Sequence, residues 1–448
     1  MKDKQIATLI QEEKTRQKRV INLIASENYV SKDVLEALGS ELTNKYAEGY
    51  PGARYYGGNE VMDKVERLAQ ERALKLFKLS SNEWAVNVQP LSGSPANLAV
   101  YLALLPPLSY KLQVTSYKIM GMTLAHGGHL THGHKVSATG KFWTQVPYGV
   151  DEKTEVLNYE MLKEIAAREK PAIIVAGYTA YPRIIDFKKF REVADSCGAI
   201  IDFPQDSAGS GKGVGEKGLS PLRNAASHAS VENRGVLKLK SDSTRPILMV
   251  DMSHFAGLVA GGVYPSPFDY TDVVTTTVHK TLRGPRAALI FSRKDERGLS
   301  AKIDKAVFPG LQGGPHLNQI AAVAVALAEA ARPDFKKYAK QVVKNAAALA
   351  RELARLGWRI VSGGTDTHLL LVDTWMNGKG IGGKEASERL EKAGIIVNKN
   401  TIPFDTRSPI DPSGIRLGTP AETTRGKKEK DFIQIAGRIN KTLRKTIY

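Results

Sequence analysis

The chain has 448 residues, 42% of them hydrophobic, and a formal net charge of +18 at pH 7. This length allows two or three domains with a substantial core. No apolar run approaches the roughly 18 residues of a membrane span, and the first residues lack the apolar core of a secretory signal, which disfavours membrane and secreted proteins.

The single cysteine, Cys197, cannot form an intrachain disulfide, which fits a reducing compartment, and we expect a cytoplasmic protein. The positive charge is spread thinly and is not gathered into a basic block interleaved with aromatic residues. Basic surfaces attract small anionic substrates as well as nucleic acids. Because no nucleic-acid-binding motif is present, we do not expect a dedicated RNA site.

Apolar residues at helical spacing predict helices over Asn59 to Phe77, Ser94 to Leu105, Phe187 to Ser196, Gln319 to Leu356 and Lys384 to Lys392. Ser94 and Pro95 suit the cap and first turn of the second of these. Short apolar runs predict strands over Ala172 to Ala176, Ile247 to Asp251, Asp272 to Thr275, Ala288 to Phe291, Arg359 to Val361, His368 to Asp373 and Ile395 to Val397.

This alternation predicts an α/β fold with a mostly parallel central sheet flanked by helices. We expect an N-terminal arm over residues 1–50, a large domain over 51–330 and a smaller α+β domain over 331–448.

Lys280 follows His279 and a run of three threonines, at the point where a predicted strand gives way to a loop containing Gly284-Pro285. Ligands bind at this end of the strands in open α/β sheets. A desolvated lysine in such a place is suited to forming a Schiff base with a carbonyl cofactor.

Residues 275 to 286 resemble the pyridoxal-phosphate attachment site of the serine hydroxymethyltransferase family. Further segments along nearly the whole chain are similar to that family, in order: Leu23 to Asn28, Thr43 to Gly58, Asn87 to Ser94, His126 to Gly133, Val250 to Ala260, Phe308 to Pro315, Val361 to Asp366 and Ser413 to Pro420. The resemblance implies a fold-type I pyridoxal-phosphate enzyme that works as a homodimer with active sites at the subunit interface. Pairing of dimers into tetramers stays open.

The implied reaction transfers the hydroxymethyl carbon of serine reversibly to the co-substrate tetrahydrofolate, giving glycine and 5,10-methylene-tetrahydrofolate. The resemblance implies Lys280 as the attachment residue, with His279 beside it, and Asp251 facing the pyridine nitrogen of the cofactor. An ionised carboxylate there keeps that nitrogen protonated. His129 is then expected to stack on the cofactor ring, and His254 to lie near its phenolic oxygen.

The remaining implied residues bind the cofactor phosphate and the substrates. The helix start at Ser92, Gly93 and Ser94 suits a phosphate; Gly313, Gly314 and Tyr56 are expected to complete the cofactor site, with the two glycines contributed across the subunit interface. The serine site is implied at Ser26, Tyr46, Glu48, Tyr56 and Arg416, where Arg416 grips the substrate carboxylate and Glu48 carries a proton. The folate site is implied at Leu124, Gly128, Leu130 and Asn400.

The chain departs from the family in several places. Thr179, expected to take part in catalysis, stands where the family mostly has serine, and Leu91 and Pro95 stand where histidine and glutamine are commoner. A polar insertion over 200–245 is expected on the face of the sheet opposite the active site. It could be a partner contact or a tolerated loop.

Three alternatives stay open. The crowding of His126, His129, His132 and His134 could suggest a metal, but no thiolate or carboxylate lies beside them in sequence, and we expect none. A pyridoxal-phosphate aldolase that cleaves β-hydroxy amino acids without folate is disfavoured by Leu124 and Asn400. A catalytically silent nucleic-acid-binding relative is disfavoured because the implied catalytic residues are retained together.

Overall fold

The computed structural model describes residues 1–105, 117–198 and 245–444. All of the predicted insertion except Arg245 lies outside these residues. The strands are β1 Ile21–Asn22, β2 Gly49–Tyr50, β3 Ala53–Arg54, β4 Trp84–Asn87, β5 Lys118–Met122, β6 Thr144–Tyr148, β7 Ile173–Gly177, β8 Ile247–Asp251, β9 Val273–Thr277, β10 Ala288–Arg293, β11 Arg359–Ile360, β12 Leu369–Asp373, β13 Ile395–Ile396, β14 Asn398–Asn400 and β15 Gly414–Gly418.

The α-helices are α1 Lys4–Arg19, α2 Lys32–Leu38, α3 Glu60–Leu76, α4 Gly93–Leu104, α5 Ala138–Phe142, α6 Tyr159–Glu169, α7 Phe187–Asp195, α8 Ala256–Ala260, α9 Leu299–Lys305, α10 Leu317–Ala330, α11 Pro333–Arg355, α12 Gly383–Lys392, α13 Pro420–Thr424 and α14 Glu429–Arg444. None of the described helices is both long and apolar enough to cross a membrane.

The central sheet has seven strands in the order β4-β10-β9-β8-β7-β5-β6. The five strands from β9 to β6 run parallel, whereas β10 is antiparallel to both of its neighbours. Successive residues of β8 enter the cores on opposite faces of the sheet, with Leu248 and Val250 on one face and Ile247 and Met249 on the other. The prediction of a mostly parallel sheet between helical layers is confirmed.

A second, four-stranded sheet has the order β11-β12-β15-β14 and is antiparallel throughout. Its apolar core includes residues of three helices, among them Leu353 of α11, Leu390 of α12 and Phe432 of α14. The carboxyl-terminal segment therefore has a core of its own, as an α+β unit requires.

The N-terminal segment joins this carboxyl-terminal unit through its second element. Helix α1 buries none of its residues, whereas β1 pairs in parallel with β13, so that Ile21 lies opposite Ile395. The strand predicted at Ile395 thus forms, but its partner comes from the start of the chain instead of from the four-stranded sheet.

Two helix predictions were wrong at their boundaries. The helix expected from Ser94 begins at Gly93, so Ser92 stands at the cap position and Ser94 lies inside the first turn. The single helix expected from Gln319 to Leu356 is two helices, because Pro333 has no N–H to donate and holds the residue before it, Arg332, in an extended conformation. Pro333 then begins α11, the position in which proline is favoured.

Candidate active site

A cavity of about 390 Å³ lies where β8 and β9 end and α4 begins. It gathers predicted site residues from distant parts of the chain, namely Ser26, Ser92, Gly93, Ser94, His129, Thr179, Asp251, His254, His279, Lys280 and Arg416. It also gathers residues that the sequence did not single out, namely Glu27, Asn97, Tyr178, Ser253, Thr277 and Arg286.

Lys280 lies three residues beyond the end of β9, and its backbone carbonyl accepts a hydrogen bond from the Asn28 amide over 2.9 Å. Burial lowers the pKa of the Lys280 amine from 10.5 to about 8, against the opposing charge of Asp251. A lower pKa raises the share of neutral amine at pH 7, the form that attacks a carbonyl.

Asp251 ends β8 with its carboxylate held by three donors. Oδ2 accepts from Asn97 Nδ2 over 2.9 Å and from His132 Nε2 over 3.2 Å, and Oδ1 accepts from the Ser253 backbone N–H over 3.1 Å. Burial opposes the charge, but the His132 hydrogen bond and the nearby positive charges hold the pKa of Asp251 well below its usual range. The residue is therefore an anion at the floor of the cavity.

His129 is connected to Asp251 by hydrogen bonds through Thr131 and Asn97. Its Nδ1 lies 2.7 Å from Thr131 Oγ1, and that oxygen accepts from Asn97 Nδ2 over 2.9 Å. Burial, with a further contribution from His132, lowers the pKa of His129 to about 4. A neutral, anchored ring results, which suits stacking on a flat ligand.

The start of α4 forms a cradle beside the end of β9. A Cβ atom at Gly93 would lie 2.7 Å from Thr277 Cγ2, so any larger residue would force the Thr277 side chain to shift. The first N–H groups of a helix have no partner within the helix and attract anions. Ser92 and Ser94 add hydroxyl groups at the same place, and Arg286 also lines the cavity.

Arg416 lies in β15 and enters the cavity from the four-stranded sheet. Its Nε donates to Asn398 Oδ1 over 3.0 Å, and its Nη1 donates to the backbone carbonyl of Thr179 over 2.7 Å. Thr179 Oγ1 in turn donates to the Gly128 carbonyl over 2.7 Å. The guanidinium is thus oriented by two elements before any ligand binds.

Tyr46, Glu48, Tyr56, Gly313 and Gly314 form a second cluster, and none of them lines the cavity. Tyr46 donates to Glu48 Oε1 over 3.3 Å and packs edge-on against Tyr56, with ring centroids 5.0 Å apart. A Cβ atom on Gly313 would lie 3.3 Å from Glu48 Oε1, and one on Gly314 would lie 3.7 Å from the Tyr46 ring. Tyr46 and Tyr56 are 55% and 48% exposed, so the cluster lies at the surface of the single chain.

The four residues of the implied folate site also lie outside the cavity lining. Leu130 lines a neighbouring, more apolar cavity of about 480 Å³, which shares His129 and Ser94 with the first. The Asn400 amide donates to the backbone carbonyl of Thr401 over 2.7 Å.

The ring nitrogens of the four crowded histidines make different hydrogen bonds. His126 Nδ1 accepts the Val150 N–H over 3.1 Å, and its ring meets that of Phe404 with centroids 4.7 Å apart, whereas His132 bonds to Asp251. Across the described residues, no group of three or more His, Cys, Asp or Glu side chains is placed to hold a metal ion.

The sequence-based interpretation missed Asn97, His132 and His368. Asn97 was the detectable one, since it is a polar residue inside the otherwise apolar helix α4. His132 and His368 act through contacts with residues more than a hundred positions away, which no local pattern reveals.

Comparison with known families shows which family the chain belongs to. The family model described as serine hydroxymethyltransferase matches residues 1–224 and 223–439. The chain belongs to the serine hydroxymethyltransferase family.

Individual relatives carry the same family name. Proteins named serine hydroxymethyltransferase are 48% identical over 441 residues in Desulfotalea psychrophila, 49% over 434 residues in Acidobacterium capsulatum and 49% over 442 residues in Koribacter versatilis. The alignments cover 98%, 97% and 99% of this chain and 88%, 87% and 89% of those proteins, respectively. The family consists of fold-type I enzymes that depend on pyridoxal phosphate and use tetrahydrofolate as co-substrate.

Proposed function

We propose that this chain transfers the hydroxymethyl carbon of serine to tetrahydrofolate, reversibly, with pyridoxal phosphate bound at Lys280. The observation that carries the proposal is the convergence of Lys280, Asp251 and the α4 cradle in one cavity. The cavity fits the cofactor chemically, because it offers an amine for the aldehyde, an anion for the pyridinium and an anion-binding helix start for the phosphate. His279 also agrees with a bound cofactor, because its Nδ1 is buried without a hydrogen-bond partner in the described part of the chain and could bond to a ligand.

When bound, pyridoxal phosphate supplies an electron sink that withdraws electrons from the amino-acid α-carbon. Asp251 would keep the pyridine nitrogen protonated, and the neutral His129 ring would pack against the cofactor. Arg416 binds the serine carboxylate as a planar fork. Since Thr179 holds Arg416 through its backbone carbonyl, we assign Thr179 to orienting that guanidinium.

We propose that the second cluster completes the site of another subunit in a homodimer. Tyr46 and Tyr56 of this cluster are about half exposed, and none of its residues lines the cavity of its own chain, which is expected of residues that act across an interface. In that arrangement Glu48 handles the proton of the serine hydroxyl, and Gly313 and Gly314 add backbone donors for the cofactor phosphate. The folate is proposed to contact Leu124, Gly128, Leu130 and Asn400.

We also propose a cytoplasmic location and the division into an arm, a large domain and a small domain at residues 50 and 330. The location is supported by Cys197, whose thiol is buried and has its pKa raised by burial to about 11, as in a structural residue that does not react. The separate cores of the two sheets support a large and a small domain, although the first half of α11, including Phe335 and Val342, packs into the core of the central sheet.

The proposed reaction is tested with purified protein, pyridoxal phosphate and serine, with and without tetrahydrofolate, by measuring glycine and methylene-tetrahydrofolate. We expect both products only with folate, and neither from Lys280→Ala. Cleavage of β-hydroxy amino acids with no response to folate would favour the aldolase. A protein that forms no product from any of these substrates would overturn the proposal.

A further inference from the structure

His254 and His368 join the two sheets through their side chains. His254 lies between β8 and α8 and lines the cavity, whereas His368 lies immediately before β12 of the four-stranded sheet. Nδ1 of His254 is 3.1 Å from Nε2 of His368, and the ring planes are 30° apart with centroids 5.3 Å apart. The two rings therefore meet end to end through one nitrogen each.

Both rings are neutral. Burial holds the pKa of His254 well below its usual range, and the charges of Lys280 and Arg416 act in the same direction. Burial also lowers the pKa of His368 to about 3. Each neutral imidazole carries one N–H and one lone pair, so a hydrogen bond between the facing nitrogens requires one to donate and the other to accept.

The far nitrogen of His368 decides between the two arrangements. Its Nδ1 is buried and has no hydrogen-bond partner among the described residues. If His254 donated, His368 would have to bury an N–H with no acceptor, whereas if His368 donates, it buries only a lone pair. Orphaned buried N–H groups are rarer in proteins than under-used acceptors.

We propose that His368 is a positioning residue whose Nε2–H donates to His254 Nδ1 and so fixes His254 as the tautomer with its proton on Nε2. The only nitrogen of His254 left for a ligand is then a hydrogen-bond donor. A donor matches the oxygen acceptors of an anionic ligand, such as a phenolate or a carboxylate. The identity of that ligand rests on the proposed function, but the tautomer is a property of the chain alone.

The direct test is the protonation of the His254 ring. The full chain, labelled with 15N-histidine, is studied by long-range 1H–15N NMR with and without pyridoxal phosphate, and the His254 signals are identified by their loss in His254→Asn. We expect the proton on Nε2 and a bare, hydrogen-bonded Nδ1, with His368 also protonated on Nε2. A proton on His254 Nδ1 would overturn the proposal, even if the protein transfers hydroxymethyl groups.

Two variants test the positioning role. His368→Leu removes the donor, so we expect a mixture of His254 tautomers and a three- to tenfold weaker affinity for pyridoxal phosphate, roughly the worth of one hydrogen bond. His368→Gln keeps a side-chain N–H that can reach His254, so the His254 tautomer and the affinity for pyridoxal phosphate should stay close to those of the wild type. A leucine variant with an unchanged His254 tautomer would contradict the proposal.

If the leucine variant does not fold, the wild-type spectrum and the glutamine variant test the proposed tautomer instead. A protein that shows the expected His254 tautomer but transfers no hydroxymethyl group would overturn the proposed function and leave the tautomer proposal standing.

Discussion

His132 Nε2 donates a hydrogen bond to Oδ2 of Asp251 over 3.2 Å. The direction follows from the other ring nitrogen, because His132 Nδ1 accepts the backbone N–H of His129 over 3.3 Å and so leaves the proton on Nε2. The carboxylate that faces the proposed pyridinium is thus supported by a fixed donor from the loop that also carries His129.

Replacing this donor should weaken cofactor binding. In His132→Leu we expect about a tenfold loss of affinity for pyridoxal phosphate, because Asp251 loses one of its charge-stabilising hydrogen bonds. His132→Gln retains an N–H donor and should lose much less. Absorbance titration of the two proteins with cofactor makes the comparison, and equal losses in both would show that volume matters here and the hydrogen bond does not.

Glu48→Gln should separate binding from chemistry. Glutamine keeps the shape and the hydrogen bonding of Glu48, including that with Tyr46, but cannot exchange a proton at neutral pH. Cofactor and serine should bind almost as in the wild type, while hydroxymethyl transfer falls by roughly two to four powers of ten. A variant that keeps most of its kcat would remove Glu48 from the proton step.

Mixing two inactive chains tests whether Glu48 acts across the interface. A dimer of one Glu48→Gln chain and one Lys280→Ala chain contains one site with both native residues, so exchange should restore part of the activity. Subunit exchange is first demonstrated by mass spectrometry. A mixture that is then as inactive as the two single variants would contradict a shared active site.

The stability of the cofactor-free protein should depend on Lys280. In the unfolded chain this lysine has its ordinary pKa of 10.5, whereas burial lowers the pKa to about 8 in the folded chain. Between these values the unfolded chain binds more protons, so the free energy of unfolding should rise with pH from about 8 to 10.5. Below pH 8 the folded state carries the full penalty of a buried charge.

Lys280→Met should remove that rise and stabilise the cofactor-free protein by about 1–3 kcal/mol at pH 7. Urea unfolding at several pH values measures both effects, and Lys336→Met at an exposed lysine is the matched control. The same pH dependence in Lys280→Met and in the wild type would show that the lysine is solvated in the folded protein.

The insertion should be dispensable for catalysis. Arg245, at its carboxyl-terminal end, pairs with Asp272 over 2.9 Å and with Asp195 over 3.3 Å, at the end of β8 opposite Asp251. We expect that replacing residues 203–244, which lie outside the described residues, with a short Gly/Ser linker leaves the KM for serine within about twofold, since Lys280 and Arg416 are untouched. A folded deletion protein with a large loss of cofactor affinity would show that the insertion approaches the active site.

The fold and the cavity differ in how far the sequence could predict them. Strand β8 is a short, mostly apolar run that ends at Asp251, and β9 is a short run of valines and threonines that ends three residues before Lys280, so both site residues could be placed at strand ends from the sequence. Eleven of the proposed site residues do line one cavity. Their roles in catalysis stay predictions.

Other features depend on tertiary contacts. Ile395 could be predicted as a strand residue, but not as the partner of Ile21, because strand pairing over that separation is set by packing. The break before Pro333 was readable from the proline and was missed because the apolar periodicity continues through it. His368 was predicted as the first residue of a strand, and nothing local in the sequence indicates that it faces His254.

The central claim is that pyridoxal phosphate is attached to Lys280 in this cavity. Borohydride reduction of the protein loaded with cofactor, followed by peptide mass mapping, tests it most directly, with Lys280→Ala as the control. We expect one pyridoxyl group per chain on the peptide that contains Lys280, and none on the alanine variant. A modification that persists on another lysine of the folded Lys280→Ala protein, or a wild-type protein that acquires none, would contradict the account.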